Sequence, residues 1–270
     1  MSKVTAHKFD LKGGILRYSY CDPSFIIGSA MNTAHPMDAW VGISKQSRWQ
    51  GIIFPDEHDP RVVPIVIPKS RDTMNASWCL QSKGSLITHK LKDSKGGGEM
   101  IVWISKEGLK SPIQKDNLVF TESSGAYVAI RPGWGKSKVT ERRFGAKKKN
   151  GNFSGTPYGH VVTPDDEFIP MIVEVMAKKD VVNFEAFTAM VEKTQPKVKN
   201  GLLTYKTIYG DTLTLDTKYK KIPTINGKKV NYEPNMVYDS PFKHSEYLSG
   251  IVTIEKGKRK VVLDFNQNLP

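Results

Sequence analysis

Short runs in which hydrophobic and polar residues alternate recur along most of the chain, separated by clusters of Gly, Pro, Asp and Ser. Alternation places every second side chain on one face, which is typical of half-buried antiparallel strands. The pattern predicts a mainly β protein, a large antiparallel β-sandwich of supersandwich-like type. Strands are expected over residues 14–20, 48–54, 62–68, 76–81, 85–91, 99–105, 118–123, 125–131 and 168–176, and in several runs between 201 and 265.

One segment has the periodicity of a helix instead. In NFEAFTAMVEKTQ, Asn183 is a good N-cap, and hydrophobic residues follow at helical spacing. We therefore predict one short α-helix over residues 183–195, with an aromatic stripe that packs on the sandwich.

A stretch rich in Gly, Pro, Asn and Thr, residues 150–167, predicts an ordered loop or a boundary. It divides the chain into a first β-sandwich portion, 1–150, which ends in a basic loop, and a second β portion, 151–270, which contains the helix. We expect the two portions to pack as one continuous domain.

Composition narrows the class of partner. The 270 residues include 40 Lys and Arg against 27 Asp and Glu, a net charge of +13, so nucleic acid, acidic polysaccharide or an anionic membrane surface are favoured partners. Hydrophobic residues make up 39% of the chain, too many for a disordered protein, and no apolar run is long enough to span a membrane. The two cysteines, Cys21 and Cys79, predict buried free thiols.

Several catalytic and cofactor signatures are missing. The sequence has no Cys-x-x-Cys pair, no His-Glu-x-x-His, no Gly-x-Ser-x-Gly and no dinucleotide fingerprint. No cofactor and no metal site are predicted. Acidic clusters at 56–59 and 165–167 could serve as general acid/base pairs or as calcium loops. Both lie beside prolines, where carboxylates commonly cap turns, so turn caps are the preferred interpretation, although His58 could serve as a ligand or proton relay.

A candidate binding surface begins at the strand SSGAYVAIRPGW. Ala126, Val128 and Ile130 share one face, and a turn carrying Trp134 and then a basic segment follow. Aromatic rings beside cations can stack on sugars or bases and meet carboxylate, sulfate or phosphate groups. The alternative is a core strand followed by a solvated basic loop. The predicted substrate-binding residues are Arg48, Trp49, Trp134, Arg142 and Arg143.

A candidate catalytic group lies nearby in the sequence. A tyrosine and a histidine with a neighbouring arginine could remove a proton next to a carboxylate, while the cation stabilises the developing charge. Tyr158, His160 and Arg131 are the predicted catalytic residues. The sequence leaves open whether the chain is an enzyme.

Several segments in order, including SFIIGSAM, ISKQSRWQGIIF, GAYVAIRPGW, FIPMIVEV, NGLLTYK, INGKKVNY and YDSPFKHSEYLSGIVTIEKGKRKVVLDF, resemble the C-terminal all-β region of large carbohydrate-active proteins. In these polysaccharide lyases, of the heparinase II/III type and their uncharacterised relatives, an α/α toroid precedes β-sandwich domains. The resemblance covers most of the chain as an order of strands.

The resemblance implies a module of a glycan-degrading protein that binds an acidic polysaccharide and helps to cleave it by β-elimination at a uronic acid. It also implies a partner, an N-terminal α/α toroid not found in this sequence. The first residues lack the apolar segment of a secretory signal, so we expect either an intracellular protein or, as the resemblance favours, a piece of a longer secreted one, periplasmic or extracellular. No catalytic residue of the family can be transferred.

Two further hypotheses remain open. One is a non-catalytic carbohydrate-binding or structural sandwich. The other, ranked last because no nucleic-acid-binding motif is present, is binding of nucleic acid by the basic loop at residues 136–149.

Overall fold

The computed structural model describes residues 3–7, 16–31, 50–68, 77–90, 97–143, 158–218, 220–232 and 235–267. The chain is mainly β, as predicted, with antiparallel sheets in a sandwich-like arrangement and a short helix. The strands are β1 Lys3–His7, β2 Arg17–Asp22, β3 Phe25–Ala30, β4 Gly51–Ile53, β5 Arg61–Pro68, β6 Ser77–Ser82, β7 Ser85–Lys90, β8 Gly97–Ser105, β9 Ile113–Lys115, β10 Leu118–Glu122, β11 Ala126–Pro132, β12 Ser137–Arg143, β13 Tyr158–Pro164, β14 Met171–Ala177, β15 Lys197–Lys199, β16 Leu202–Lys206, β17 Thr212–Asp216, β18 Thr224–Ile225, β19 Lys228–Lys229, β20 Met236–Asp239, β21 Lys243–Glu246, β22 Ile251–Lys256 and β23 Arg259–Asp264.

Two large sheets form the sandwich. The first has twelve strands in the order β12-β13-β8-β5-β4-β3-β2-β1-β20-β21-β22-β23, and the second has six in the order β6-β7-β14-β11-β10-β9. Their facing side chains form the main core, in which Val128 and Ile130 of β11 join Met100, Val102 and Ile104 of β8. The face that the sequence assigned to Ala126, Val128 and Ile130 points into this core.

A third layer covers the outer face of the six-stranded sheet. Part of this layer is a five-stranded sheet in the order β15-β16-β17-β18-β19, whose Leu203 and Leu213 pack with Leu80 and Ile87. The rest is the α-helix α1, Phe184–Lys193, which follows a 3₁₀ turn at Lys178–Asp180. Because both elements bury the outer face, the β11 side chains that point away from the main core are also shielded from water.

The helix begins where the sequence predicts. The Asn183 side chain accepts a hydrogen bond from the Ala186 amide at 2.8 Å, as an N-cap does. Phe187 and Val191 are fully buried against Phe120 and Ala129. Among the described residues, no helix has the length and apolar character needed to cross a lipid bilayer.

The interpretation of residues 150–167 as a loop is wrong in part. Residues 158–164 form β13, which pairs on one side with β12 and on the other with β8. The basic segment after Trp134 is likewise a strand over residues 137–143 rather than a loop. Val161 and Val162 are both fully buried, one on each face of the sheet, so packing on both sides stabilises the strand. Its Gly- and Pro-rich flanks led the sequence pattern to predict a loop instead.

Strands from both predicted portions of the chain lie in the same sheets. β13 pairs with β8, and β14 pairs with β7 and β11. Both cysteines are free thiols, Cys79 buried and Cys21 half-buried.

Candidate functional site

A pocket of about 690 Å³ opens on the face of the twelve-stranded sheet that points away from the main core. It lies where β5, β8 and β13 meet the turn between β4 and β5. This volume is in the range of pockets that bind small ligands. The described residues that line it are His58, Asp59, Arg61, Val63, Ile65, Trp103, Ser105, Lys106, Glu107 and Tyr158.

The pocket wall is apolar and aromatic. Val63 and Ile65 of β5 pack beside Trp103 of β8, which is only 7% exposed. The indole lies so close to the backbone of Gly159 that a Cβ at that position would be 2.2 Å from the Trp103 Nε1. Glycine is therefore required for the indole to hold this position.

Tyr158 and Lys106 form the rim. Tyr158, the first residue of β13, is 49% exposed. The Lys106 ammonium nitrogen lies 5.3 Å from the centre of the Tyr158 ring, within the range of a cation–π contact. The same nitrogen donates a hydrogen bond of 3.0 Å to the Glu141 carboxylate.

His160 joins this group through Glu141. The two residues are cross-strand partners, and the His160 Nδ1 is 3.6 Å from a Glu141 carboxylate oxygen. Burial lowers the pKa of His160, opposed by the charge of Glu141 and assisted by that of Lys106. The hydrogen bond from Lys106 lowers the pKa of Glu141. At neutral pH the pair is a carboxylate beside an uncharged imidazole, which can accept a proton.

The opposite rim comes from the turn before β5. Asp59 contacts the Arg61 guanidinium, and the His58 Nδ1 is 3.7 Å from a Glu107 oxygen. The Arg61 amide donates to the Ser105 hydroxyl at 2.8 Å. The pocket lining therefore combines cations and carboxylates in close pairs.

The structure brings Tyr158 and His160 together but places Arg131 elsewhere. Arg131 lies in β11 of the six-stranded sheet, and its buried guanidinium donates to the main-chain oxygens of Val191 and Thr194 and to the side chain of Gln195. These bonds satisfy the last carbonyl groups of α1, a function that cations commonly serve at helix C-termini. Burial lowers the pKa of Arg131.

Trp134 also lies away from the pocket. It occupies the turn between β11 and β12, next to the Pro164 end of β13, where the Lys136 amide bonds the Asp165 carboxylate at 3.0 Å. Tyr158 is at the other end of β13. At about 3.3 Å per residue, the two ends of this strand are about 20 Å apart.

The predicted binding arginines differ in their surroundings. Arg143 is exposed and lies opposite Tyr158 in the β12–β13 pair. Arg142 donates to Glu99 at 2.6 Å, and Glu99 also accepts a bond from the Thr163 hydroxyl. Arg48 and Trp49 lie outside the described residues, as does the lysine run 147–149 of the basic segment.

The acidic clusters serve as turn caps, as predicted. Asp56 accepts a bond from the His58 amide, and Asp166 accepts one from the Phe168 amide. In the parts of the chain that the structure describes, no group of three His, Cys, Asp or Glu side chains could hold a metal ion.

Sequence reasoning missed Lys106, Glu141 and the pocket-lining position of Trp103. Nothing near Lys106 or Glu141 distinguishes them in the sequence from other surface charges. Gly159, within the strand β13, offered a signal, since a glycine inside a strand often marks the close approach of another group. Comparison of the chain with protein-family models, with curated proteins and with solved structures found no match.

Proposed function

We propose that this chain is a β-sandwich module of a carbohydrate-active protein and binds an acidic polysaccharide in the pocket beside β5, β8 and β13. The observation that supports this most directly is the arrangement of two aromatic residues around one cavity. Trp103 forms the wall, and Tyr158, with Lys106 above its ring, forms the rim.

Such a cavity suits a sugar ring. The C–H groups of a pyranose pack on an aromatic surface, and its hydroxyls exchange hydrogen bonds with charged side chains. Arg61 and Lys106 offer donors, while Asp59 and Glu107 offer acceptors. The closely paired charges also fix these side chains, which reduces the entropy lost on binding.

The net charge explains why the glycan should be acidic. Two cations and two carboxylates line the described part of the pocket, so the local charge is nearly balanced. The chain as a whole carries +13. A polyanion is therefore attracted over a long range and then held by local contacts to its rings and hydroxyls. Affinity for a uronate polymer should fall with added salt, whereas weak binding of a neutral polymer should not.

The test is a binding titration with matched uronate-containing and neutral polysaccharides, using the parent chain and Tyr158→Ala. Loss of one stacked ring should weaken uronate binding by about fivefold or more, in line with the 1–3 kcal/mol typical of an aromatic contact. Trp134→Ala is the matched control, because it removes an exposed ring at the far end of the same hairpin.

Four outcomes decide the proposal. Weakening by Tyr158→Ala alone supports the pocket. Weakening by Trp134→Ala alone moves the binding site to the other end of the hairpin and overturns the pocket assignment. Binding of neither polysaccharide class overturns the function, and preferential binding of nucleic acid would favour the basic segment instead.

Cleavage by β-elimination is a second candidate, favoured by the chain of contacts from Tyr158 through Lys106 and Glu141 to His160. In this reaction a base removes the C5 proton of a uronate, the C4–O bond breaks, and an acid protonates the leaving oxygen. We assign this proton exchange to the hydroxyl of Tyr158, a residue at the rim of the pocket. Formation of unsaturated, ultraviolet-absorbing ends by the parent chain and their loss in Tyr158→Phe would support it. Binding without product would leave the module non-catalytic.

The α/α-toroid partner and the periplasmic or extracellular location remain predictions from the resemblance. Both concern the longer protein in which such a module would act.

A further inference from the structure

The hairpin of β22 and β23 ends the twelve-stranded sheet with an exposed apolar surface. In the described part of the sheet, β23 has no neighbour on its outer side. All six of its residues are exposed, Val262 to 53%, and Phe265 just after it to 70%. An exposed, hydrophobic edge strand is a template for pairing with another chain.

The backbone direction of β23 follows from its turn and its last hydrogen bond. Gly257 has φ 59° in the two-residue turn, so Lys256 and Arg259 form the closing pair. At the other end, the Phe265 amide donates to the Gly250 oxygen at 2.7 Å. Residues that bond to β22 alternate with residues whose N–H and C=O point outward. The outward set is Lys260, Val262 and Asp264.

We propose that β23 pairs antiparallel with β23 of a second copy of this chain, on a two-fold axis through Val262. In this register Lys260 lies opposite Asp264 of the second copy, and the reverse pair is made on the other side of the axis. Val261 lies opposite Leu263 in the same way. The pairing joins the two twelve-stranded sheets into one continuous sheet, which is the isologous arrangement of a closed dimer.

Charge complementarity favours this register, because it is the two-fold register that places Lys260 opposite Asp264. Moving the axis to Lys260 places two lysines opposite each other, and moving it to Asp264 does the same with two carboxylates. Like charges directly opposite are destabilising in a sheet. The Val262 register instead forms two Lys–Asp pairs and leaves no charge of β23 opposite its own sign.

Lys260 also explains why a second copy is a better partner than an arbitrary strand. A lysine on an edge strand normally opposes pairing, because most strands offer it nothing. Here it already contacts Glu255 of its own hairpin, 2.8 Å away, and Asp264 of a second copy would add another carboxylate. Strand β23 therefore disfavours pairing with unrelated strands and favours pairing with β23 of a second copy.

The apolar side chains give the pairing a second source of stability. Val261, Leu263 and Phe265 share one face with Ile254 of β22, and all four are exposed large hydrophobic residues. In the dimer this row continues into the same row of the second copy across the axis, so each Val261 contacts a Leu263.

The first experiment measures molar mass against protein concentration by sedimentation equilibrium. We expect a reversible dimer for the parent chain, at least tenfold weaker dimerisation for Lys260→Glu, and recovery in the double variant Lys260→Glu/Asp264→Lys. Lys256→Glu is the matched control, since it changes a lysine of the same hairpin that lies on β22 and should leave dimerisation unchanged. Circular dichroism confirms that each variant keeps its strand content.

The second experiment tests the register. Val262→Cys places two thiols on the axis at a Cα separation of about 5.5 Å, which suits a disulfide. Val261→Cys places them two positions out of register. Mild oxidation should therefore link Val262→Cys into a covalent dimer much faster than Val261→Cys.

Three results would overturn the proposal. They are a monomeric mass for the parent chain at every concentration, a dimer that Lys260→Glu does not weaken, and equal oxidation of the two cysteine variants. A sugar-binding defect would affect none of these readouts, so the dimer and the pocket fail independently.

Discussion

Lys106 lies over the aromatic ring of Tyr158, with its ammonium nitrogen 5.3 Å from the ring centre, and bonds the Glu141 carboxylate at the same time. One cation therefore links an exposed phenol to a carboxylate that faces the buried imidazole of His160. These contacts join a turn and two strands at the mouth of one pocket.

Removing the Lys106 cation should raise the pKa values of both Glu141 and His160. In Lys106→Met, Glu141 loses the hydrogen bond that lowers its pKa, and His160 loses a nearby positive charge that lowers its own. We expect the pKa values of both residues to rise, measured by NMR titration of labelled side chains. Lys138→Met, at the far end of β12, controls for the loss of one surface charge. A rise for Glu141 without any change for His160 would show that the charge of Lys106 does not act on the imidazole.

Gly159→Ala should destabilise the protein by about 2–3 kcal/mol, typical of overpacking. The new methyl group would lie 2.2 Å from the Trp103 Nε1 and 2.7 Å from the Ile104 oxygen. Thermal unfolding measures the loss, and the tryptophan emission spectrum should change as the indole is displaced. Gly133→Ala is the control, since its Cβ meets nothing closer than 3.4 Å. Equal stability of the two variants would contradict the close approach.

Because the pKa of Glu174 is raised, we expect part of the folding stability to be lost as the pH rises. Glu174 is buried beneath the five-stranded sheet, and burial raises its pKa to about 7, although Tyr205, the Ile208 amide and Arg131 oppose the shift. Because the folded state holds this proton more tightly than the unfolded state, its stabilising contribution is complete below about pH 4.5 and is lost as pH rises through about 7.

Glu174→Gln removes this effect while keeping the shape of the neutral acid. The difference in unfolding free energy between variant and parent should grow in favour of the variant by about 3 kcal/mol from pH 4.5 to 8. Denaturant titrations at several pH values measure it, with Glu192→Gln on the exposed face of α1 as the control. A difference that is the same at all pH values would show that Glu174 does not titrate in this range.

Arg131→Met should destabilise the fold without weakening polysaccharide binding by the folded fraction. The substitution removes the bonds to Thr194 and Gln195, so we expect a loss of about 2–4 kcal/mol. Chemical denaturation measures the stability, and binding is measured where the variant is still folded. Arg143→Gln, at an exposed position, should change stability by less than about 1 kcal/mol. A loss of binding in folded Arg131→Met would restore Arg131 to the candidate site.

Much of the architecture could be predicted from local pattern. Alternation in β11 placed Val128 and Ile130 on one face, which lies in the main core, and the side chain of Asn183 marked the start of the helix. Each of these features depends on neighbours along the chain.

The sequence by itself determined the fold class, the helix and the turn caps, because strand period, helix period and capping are local properties of the backbone. Only the tertiary structure decided that 158–164 is a strand, that Arg131 binds the end of α1, and that Lys106 lies over Tyr158. These three depend on which distant segments pair, and pairing is decided by the packing of whole sheets rather than by the residues next to each position.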